Sequence, residues 1–345
     1  MLAELLVAAL ALAAAPQDPA AELWQAGRRV EAIEAWEREL AAVPGDRALR
    51  LRLVEAQLAV HRYAAALECA APLGDEAERA RGVALYRLGR WEEALQHLAR
   101  DDELQLLMRV ECLEALAREQ ESAREVDQAA ERLGEDDVRV LGFRARALAR
   151  RGDDAGALVL YRRAHELDPY DPAALFGLGR ALVAVGEREQ GLARLQEHRE
   201  LTPKLDALDF AQRSVDLAPL HAGNHATVGD AERALGRTQR ALEAYERAYA
   251  LATREQVVPI ALRLARLLAE DLERLDAAVA LLEEAGAKVD DPRPWVRAGD
   301  LLRADGRPMD AIQRYLRARE LRPDDAAIQQ RIDETHASYR KDPKR

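Results

Sequence analysis

The stretch PRPWVRAGDLLRADGRPMDAIQRYLRARELRPDD, Pro292 to Asp325, decides how the rest of the chain is read. Trp295, Ala298, Gly299 and Leu302 fall on one face of a first helix. Gly306 marks a turn, and Ala311, Tyr315 and Ala318 fall on one face of a second helix that closes at Pro323. The physical logic is local. Gly299 has no side chain, so the paired helix can approach closely, while Trp295, Leu302 and Tyr315 fill the space between neighbouring helices. Gly306 permits the tight turn, and Pro323 cannot continue a helix.

The same spacing recurs along the chain. Gly152, Ala157, Tyr161, Ala164 and Pro169 repeat it, and 34 residues later stand Gly186, Gly191, Leu195, His198 and Pro203. Gly27, Ala32, Trp36 and Pro44 form a second-helix half, with His61, Tyr63 and Ala66 in register after it. Gly82, Leu85, Gly89, Trp91 and Ala94 give one further unit, and Gly229, Gly236, Ala241, Tyr245 and Ala248 another. Residues 103 to 135 and 256 to 291 keep helical periodicity, through Leu107, Val110 and Leu113 and through Leu262, Ala265 and Leu268. Both lack the turn glycine and the large aromatic, so they read as degenerate repeats.

The unit 292–325 resembles the tetratricopeptide repeat (TPR) family, whose period is 34 residues and whose pattern is W-x2-L-G-x2-Y, then A-x3-F, then P. The resemblance covers roughly residues 20 to 340, in about nine units. It implies an all-α fold, a right-handed superhelical solenoid of stacked helix-turn-helix repeats with each first helix lining a concave face. It further implies a protein or peptide ligand in that groove.

The organisation expected is a leader at 1–15, a first partial repeat at 16–46, and TPR-like repeats, partly degenerate, at 47–135. Two regular repeats follow at 136–205. The interval from Gly186 to Gly236 is 50 residues, and the surplus is assigned to an extra helix at 206–221, with Leu205 to Leu217 as its body and Pro219 beyond it. Three repeats at 222–325 and a capping helix with a basic tail at 326–345 complete the chain. Repeat arrays need such a cap for solubility.

Composition agrees. At 345 residues the chain exceeds the roughly 250 to 300 at which one round core stops growing. Hydrophobic residues make up 49% and aromatics 4%, carried by Ala and Leu, which favour helices over strands. Charged residues reach 33% with both signs interleaved, as in Glu34, Glu37, Arg38 and Glu39, which coats solvated helix faces. A net charge of −11 argues against nucleic acid as the partner.

Leu5 to Ala15 runs apolar and small, then meets Pro16, Gln17, Asp18 and Pro19. This resembles a secretory core with an Ala-x-Ala cleavage site after Ala13 or Ala15, and export to the periplasm or cell envelope is expected. No Lys or Arg precedes the run and Glu4 has the wrong sign, so the alternative is a hydrophobic cap on the first repeat in a cytoplasmic adaptor or regulatory subunit, and a weaker one is an enzyme-associated subunit. The run is shorter than the roughly 20 residues that span a bilayer, so no stable transmembrane span is expected.

Catalytic and cofactor motifs are not found in the sequence, so the chain is read as no enzyme, with no cofactor and no metal. There is no phosphate-binding G-x-x-x-x-G-K-[ST], and Gly177 and Gly179 lack a third glycine and a preceding strand. His221 and His225 stand four apart without a third ligand, and read as a helix start with His225 in a packing position. Cys69 and Cys112 fall in different helical pairs and read as free buried thiols. The paired acids Asp136 and Asp137, and Asp153 and Asp154, read as helix caps.

In the family, the residue after the small first-helix position points into the groove, with those three and four further on. That offset selects Val83, Tyr86 and Arg87, then Arg146 and Arg150, then Arg180 and Val183, with Phe176 one turn before Arg180. Later in the chain it selects Asp230, Arg233, Glu270, Asp271, Asp300 and Arg303. The groove is therefore expected to be basic in its middle and mixed to acidic beyond. Arg146, Arg150 and Arg180 are expected to bind an anionic group, most simply a peptide carboxylate, through their bidentate guanidinium forks. The Lys and Asn set of the family's carboxylate-clamp repeats is missing at the matching places.

Overall fold

The computed structural model describes residues 18–341, which divide into two compact units at Pro203 and Lys204. The expected leader at 1–15 and the last residues of the basic tail lie outside the described residues. In the first unit, α1 (Pro19–Gln25) pairs with α2 (Arg29–Ala42), and α3 (Arg47–Ala59) with α4 (Tyr63–Ala70). After a 3-10 stretch at Ala71–Ala77, α5 (Glu78–Arg87) pairs with α6 (Trp91–His97), α7 (Glu103–Ala115) with α8 (Glu119–Leu133), and α9 (Val138–Arg150) with α10 (Asp154–Leu167). Then come α11 (Pro172–Ala184) and the long α12 (Arg188–Leu217). In the second unit, α13 (Ala222–Ala234) pairs with α14 (Thr238–Leu251). Next, α15 (Val257–Arg266) runs through a π-helical turn (Leu267–Asp271) before α16 (Leu275–Val289). The pair α17 (Pro292–Ala304) and α18 (Pro308–Leu321) and a final α19 (Ala326–Lys341) close the unit. The first helix expected only as a missing half is present as the short α1.

The chain reverses inside each pair by one device. A residue with positive φ follows the first helix, at Gly27, His61, Gly89, Ala117, Gly152, Gly186, Gly236, Glu273 and Gly306. The next backbone N–H then reaches five residues back, as Arg28 to Leu23 (2.9 Å), Arg118 to Leu113 (2.9 Å) and Arg307 to Leu302 (2.9 Å), the Schellman arrangement that satisfies the last carbonyls. Six of these positions carry glycine, which enters the left-handed region at no steric cost, and three do not. Ala117 (φ 55°) and Glu273 (φ 55°) fall in the two degenerate stretches, so the turn survives where its glycine is missing. At Glu273 the π turn inserts one residue, and Arg274 N–H bonds to Leu268, six residues back, at 2.7 Å. Most first helices start on an aspartate, as where Asp46 accepts from Leu49 N–H (2.9 Å) and Asp171 from Ala174 N–H (2.6 Å). Asp137 and Asp153 cap as expected, while Asp136 pairs with Arg163.

Burial follows the pairs. In the first unit the buried side chains form successive clusters, one around Trp36, Ile33 and Leu53, another around Leu106, Val126 and Phe143, another around Tyr161, Leu178 and Leu182. In the second unit one cluster runs from Ala222 through Tyr245, Leu264, Leu282, Leu302 and Tyr315 to Ile332 on α19. Within each unit the buried clusters join side chains of successive pairs, so a pair leans on its neighbour. Cys112 is buried and Cys69 partly so, and both are free thiols.

One boundary differs from the sequence reading. No separate helix occupies 206–221, because α12 continues through Pro203 to Leu217. The proline removes the bond to the Arg199 carbonyl, but the Thr202 hydroxyl donates to the His198 carbonyl at 2.8 Å, and Lys204, Leu205, Ala207 and Leu208 are strong helix formers. Among the described residues, no helix is long and apolar enough to cross a membrane.

Candidate functional site

The three helices α9, α10 and α11 enclose a cleft of about 410 Å3 in the first unit. Arg146 and Arg150 stand one turn apart on α9, and Phe176 and Arg180 one turn apart on α11, so each couple shares one face of its helix, and both couples line the cleft. Tyr161 of α10 lines the same cleft, with Asp154 at the N-terminal end of that helix. Of the groove residues selected from sequence, Arg146, Arg150, Phe176 and Arg180 therefore meet at one place. Arg87 does not. It is exposed on α5, with its guanidinium 5.7 Å from the Tyr86 ring centroid.

Tyr161 is the residue the offset does not select. Its ring is 5% exposed and lies against Gly177, where an added Cβ would fall 2.2 Å from Cε1 and Cζ of the tyrosine. Only glycine admits that approach. The hydroxyl has no hydrogen-bond partner among the described residues, although it borders the cleft. Burial, the largest influence, pushes its pKa above the ordinary tyrosine range, and Arg146, Glu114, Arg180 and Arg150 all act on it electrostatically. At neutral pH it is a protonated donor facing three guanidinium groups.

The three arginines are not equivalent. Arg146 Nε donates to Glu114 Oε2 at 3.0 Å, and Arg150 donates to Glu114 Oε1 at 2.9 Å, so one carboxylate on α7 spans both. The Glu114 side chain is only 13% exposed. Arg146 also stacks 4.7 Å from the Phe143 ring centroid. Arg180 is exposed and makes no ion pair with a described residue, its one assigned contact being the face of Phe176 at 5.8 Å. Phe176 itself is 42% exposed and sits 5.2 Å from the His198 ring. Of the three arginines expected to bind an anionic group, two are thus paired with an internal acid and Arg180 is not. Glu114 escapes the sequence reading because Ala117 replaces the turn glycine and the register of α7 is lost. Counting back from Ala117 as the turn residue places Glu111 and Glu114 on the groove face.

On the second unit the residues at groove positions satisfy one another. Arg233 pairs with Asp271 and, at 3.1 Å, with Glu270, both exposed by the π turn. Arg297 reaches Glu270 at 3.1 Å, Arg331 reaches Asp300 at 3.2 Å, and Arg303 reaches Glu334 at 3.4 Å. Tyr245 and Tyr315 donate to Asp230 (2.6 Å) and Asp300 (2.8 Å). His221 starts α13 and His225 Nε2 lies 2.7 Å from the Pro219 carbonyl oxygen.

Residues 138–181, which carry most of this cleft, match the family model described as tetratricopeptide repeat. No curated protein matches the chain in sequence. Among solved structures the chain is similar to TTC0263, a thermophilic TPR protein of Thermus thermophilus, at 24% identity over 58% of this chain and 100% of that one, with a TM-score of 0.33. It is also similar to YrrB, a TPR protein with an unusual peptide-binding site, at 18% identity over 59% of this chain and 96% of that one (TM-score 0.30). A third likeness is to the TPR domain of P58(IPK), at 16% identity over 100% of each chain (TM-score 0.27).

Proposed function

We propose that this tetratricopeptide-repeat chain is a non-catalytic binding scaffold, and that the cleft between α9 and α11 holds a peptide segment bearing a carboxylate beside an apolar side chain. The observation that carries the reading is the meeting of Arg180, the Tyr161 hydroxyl and the exposed Phe176 ring in one cleft of about 410 Å3. A guanidinium supplies a bidentate fork for a carboxylate, and an exposed aromatic ring supplies apolar area at low entropic cost. Export to the cell envelope belongs to the same proposal and rests on the apolar run Leu5 to Ala15. A mature N-terminus at Ala14 or Pro16, read by N-terminal sequencing, supports it, and an intact Met1 overturns it in favour of a cytoplasmic adaptor.

The binding reading is tested with a random-sequence peptide library passed over the immobilised chain. Retained peptides are expected to be enriched in Asp, Glu or free C-terminal carboxylates next to apolar residues. The enrichment is expected to vanish when Arg146, Arg150 and Arg180 are all replaced by Glu. Retention no greater than on an unrelated helical protein would overturn it.

A further inference from the structure

Within the cleft the polar groups are unevenly committed. Glu114 is nearly buried, and its two carboxylate oxygens are taken up separately by Arg146 and Arg150. At these two arginines an incoming carboxylate would meet only the N–H groups that Glu114 leaves free, in the field of that acid's negative charge, and displacing Glu114 would cost it two charge-assisted hydrogen bonds. Arg180 and the Tyr161 hydroxyl carry no such commitment. Tyr161 is the stronger pointer, because the residue is more than nine-tenths buried and lines the cleft, while its hydroxyl, open to solvent, has no partner among the described residues. At the same repeat position Tyr245 and Tyr315 spend that donor on Asp230 and Asp300, whereas the position equivalent to those aspartates is Arg146 on α9 and Arg180 on α11. The carboxylate that the other two tyrosines find within the chain is missing at Tyr161.

We infer that Tyr161 and Arg180 together form the carboxylate subsite of the cleft, and that Glu114 sets this specificity by keeping Arg146 and Arg150 occupied. This rests on the peptide-binding reading above and names the atoms of that same site. The ligand carboxylate accepts from the Tyr161 hydroxyl and from the Arg180 fork, while its neighbouring apolar side chain lies on Phe176. Glu114 is a specificity residue acting through Arg146 and Arg150. Its removal takes the neutralising charge away from Arg146 and, with Glu119 still 3.7 Å from Arg150 Nε, partly from Arg150, and so adds their guanidinium groups to the subsite. The carboxylate has two chemical sources, a chain terminus or an acidic side chain, and both are probed.

The probe is a fluorescein-labelled octapeptide of alanine and glycine carrying leucine next to a C-terminal glutamate. Its analogues have an amidated terminus, a glutamine in place of the glutamate, or both, and binding is read by fluorescence anisotropy on the full chain. Tyr161→Phe and Arg180→Gln are expected to weaken binding of the charged probes, the arginine change by about tenfold or more. Glu114→Gln is expected to tighten it by a similar factor and to steepen its dependence on salt. Melting curves of the three variants show whether they remain folded, and Tyr161→Phe, which breaks no internal bond, serves as the variant that keeps its fold. Loss of binding to the amidated form alone assigns the chain terminus, and loss to the glutamine form alone assigns the side chain. Unchanged or weakened binding in Glu114→Gln, with the wild-type chain binding normally, overturns the role of Glu114 and leaves the groove reading standing. Equal binding of charged and doubly neutral probes overturns the carboxylate subsite alone. Binding of no probe by any form, together with a library that retains nothing, overturns the groove reading itself.

Discussion

Tyr161 in the first unit and Tyr245 and Tyr315 in the second occupy the same place in their repeats but meet different neighbours. Tyr245 and Tyr315 rest on Gly229 and Gly299, the small residues of their own first helices, and an added Cβ there would lie 2.6 and 2.5 Å from the rings. Their hydroxyls close on the aspartate that follows each glycine. In the first unit Ala145 stands where those glycines stand, its methyl fills the space, and the Tyr161 ring leans instead on Gly177 of the following first helix. One methyl group and one change from aspartate to arginine turn an internally satisfied seam into an open cleft with an unused donor. The repeat geometry is common to both units, and the polar residues laid on it decide whether a groove is closed or available.

The largest effects break what the two regions share. Gly177→Ala and Gly299→Ala both drive a methyl into a tyrosine ring, and overpacking of this kind costs about 1 to 3 kcal/mol. That exceeds the roughly 1 kcal/mol that alanine returns through helix propensity, so urea midpoints fall for both. Of the two, only Gly177→Ala is expected to lower affinity for a carboxylate peptide as well. A rise in either midpoint would mean that the ring is not seated as described.

Removing the hydroxyls separates the regions. Tyr245→Phe and Tyr315→Phe each lose a hydrogen bond to a carboxylate that remains partly solvated and paired with Arg263 or Arg331, a cost of about 1 kcal/mol. Tyr161→Phe loses no internal partner and is expected to leave the urea midpoint unchanged. Equal losses at all three positions would contradict the contrast.

Alkaline pH sharpens the same contrast. Burial first, and then the bonds to Asp230 and Asp300, hold the Tyr245 and Tyr315 hydroxyls far above the ordinary tyrosine range, and burial with Glu284 nearby pushes Tyr249 up to about 12. The unfolded chain releases these protons near pH 10 while the folded chain keeps them. Their contribution is therefore complete below about pH 10 and lost as pH climbs toward the folded values. Urea midpoints are expected to drop between pH 9 and 11.5, and the drop to shrink more in Tyr245→Phe or Tyr315→Phe than in Tyr161→Phe.

The smallest effect concerns the turns. Ala117 holds a left-handed conformation that costs an L-residue about 1 to 2 kcal/mol, partly offset by the greater unfolded-state freedom of glycine. Ala117→Gly is expected to raise stability by about 0.5 to 1 kcal/mol, read as a higher urea midpoint, and a lower midpoint would show that the turn is not strained.

Much of this architecture is legible in the sequence. The pair at Pro292–Leu321 carries its turn glycine, its close-approach glycine and its tyrosine, so its helices and its register follow directly. The same register reaches Arg146, Arg150, Phe176 and Arg180 through Gly152 and Gly186. It fails at α7, where Ala117 adopts the glycine's backbone conformation without being glycine, and Glu114 is lost with it. The 34-residue spacing also fails at Glu273, which stands 37 residues after Gly236 with one of the extra residues taken up by the π turn, and a helix boundary fails at Pro203, where a proline usually taken as a helix stop is carried inside α12. Tyr161 is visible in the sequence as a packing residue. Its availability as a donor is not, since that depends on which neighbour its ring leans against.

The most direct measurement is anisotropy of a carboxylate-ended peptide against the wild-type chain and two single variants, Arg180→Gln in the open cleft and Arg233→Gln in the internally paired seam. The account predicts that Arg180→Gln weakens binding by about tenfold while Arg233→Gln leaves it unchanged. Equal loss in both variants, or loss confined to Arg233→Gln, would contradict it.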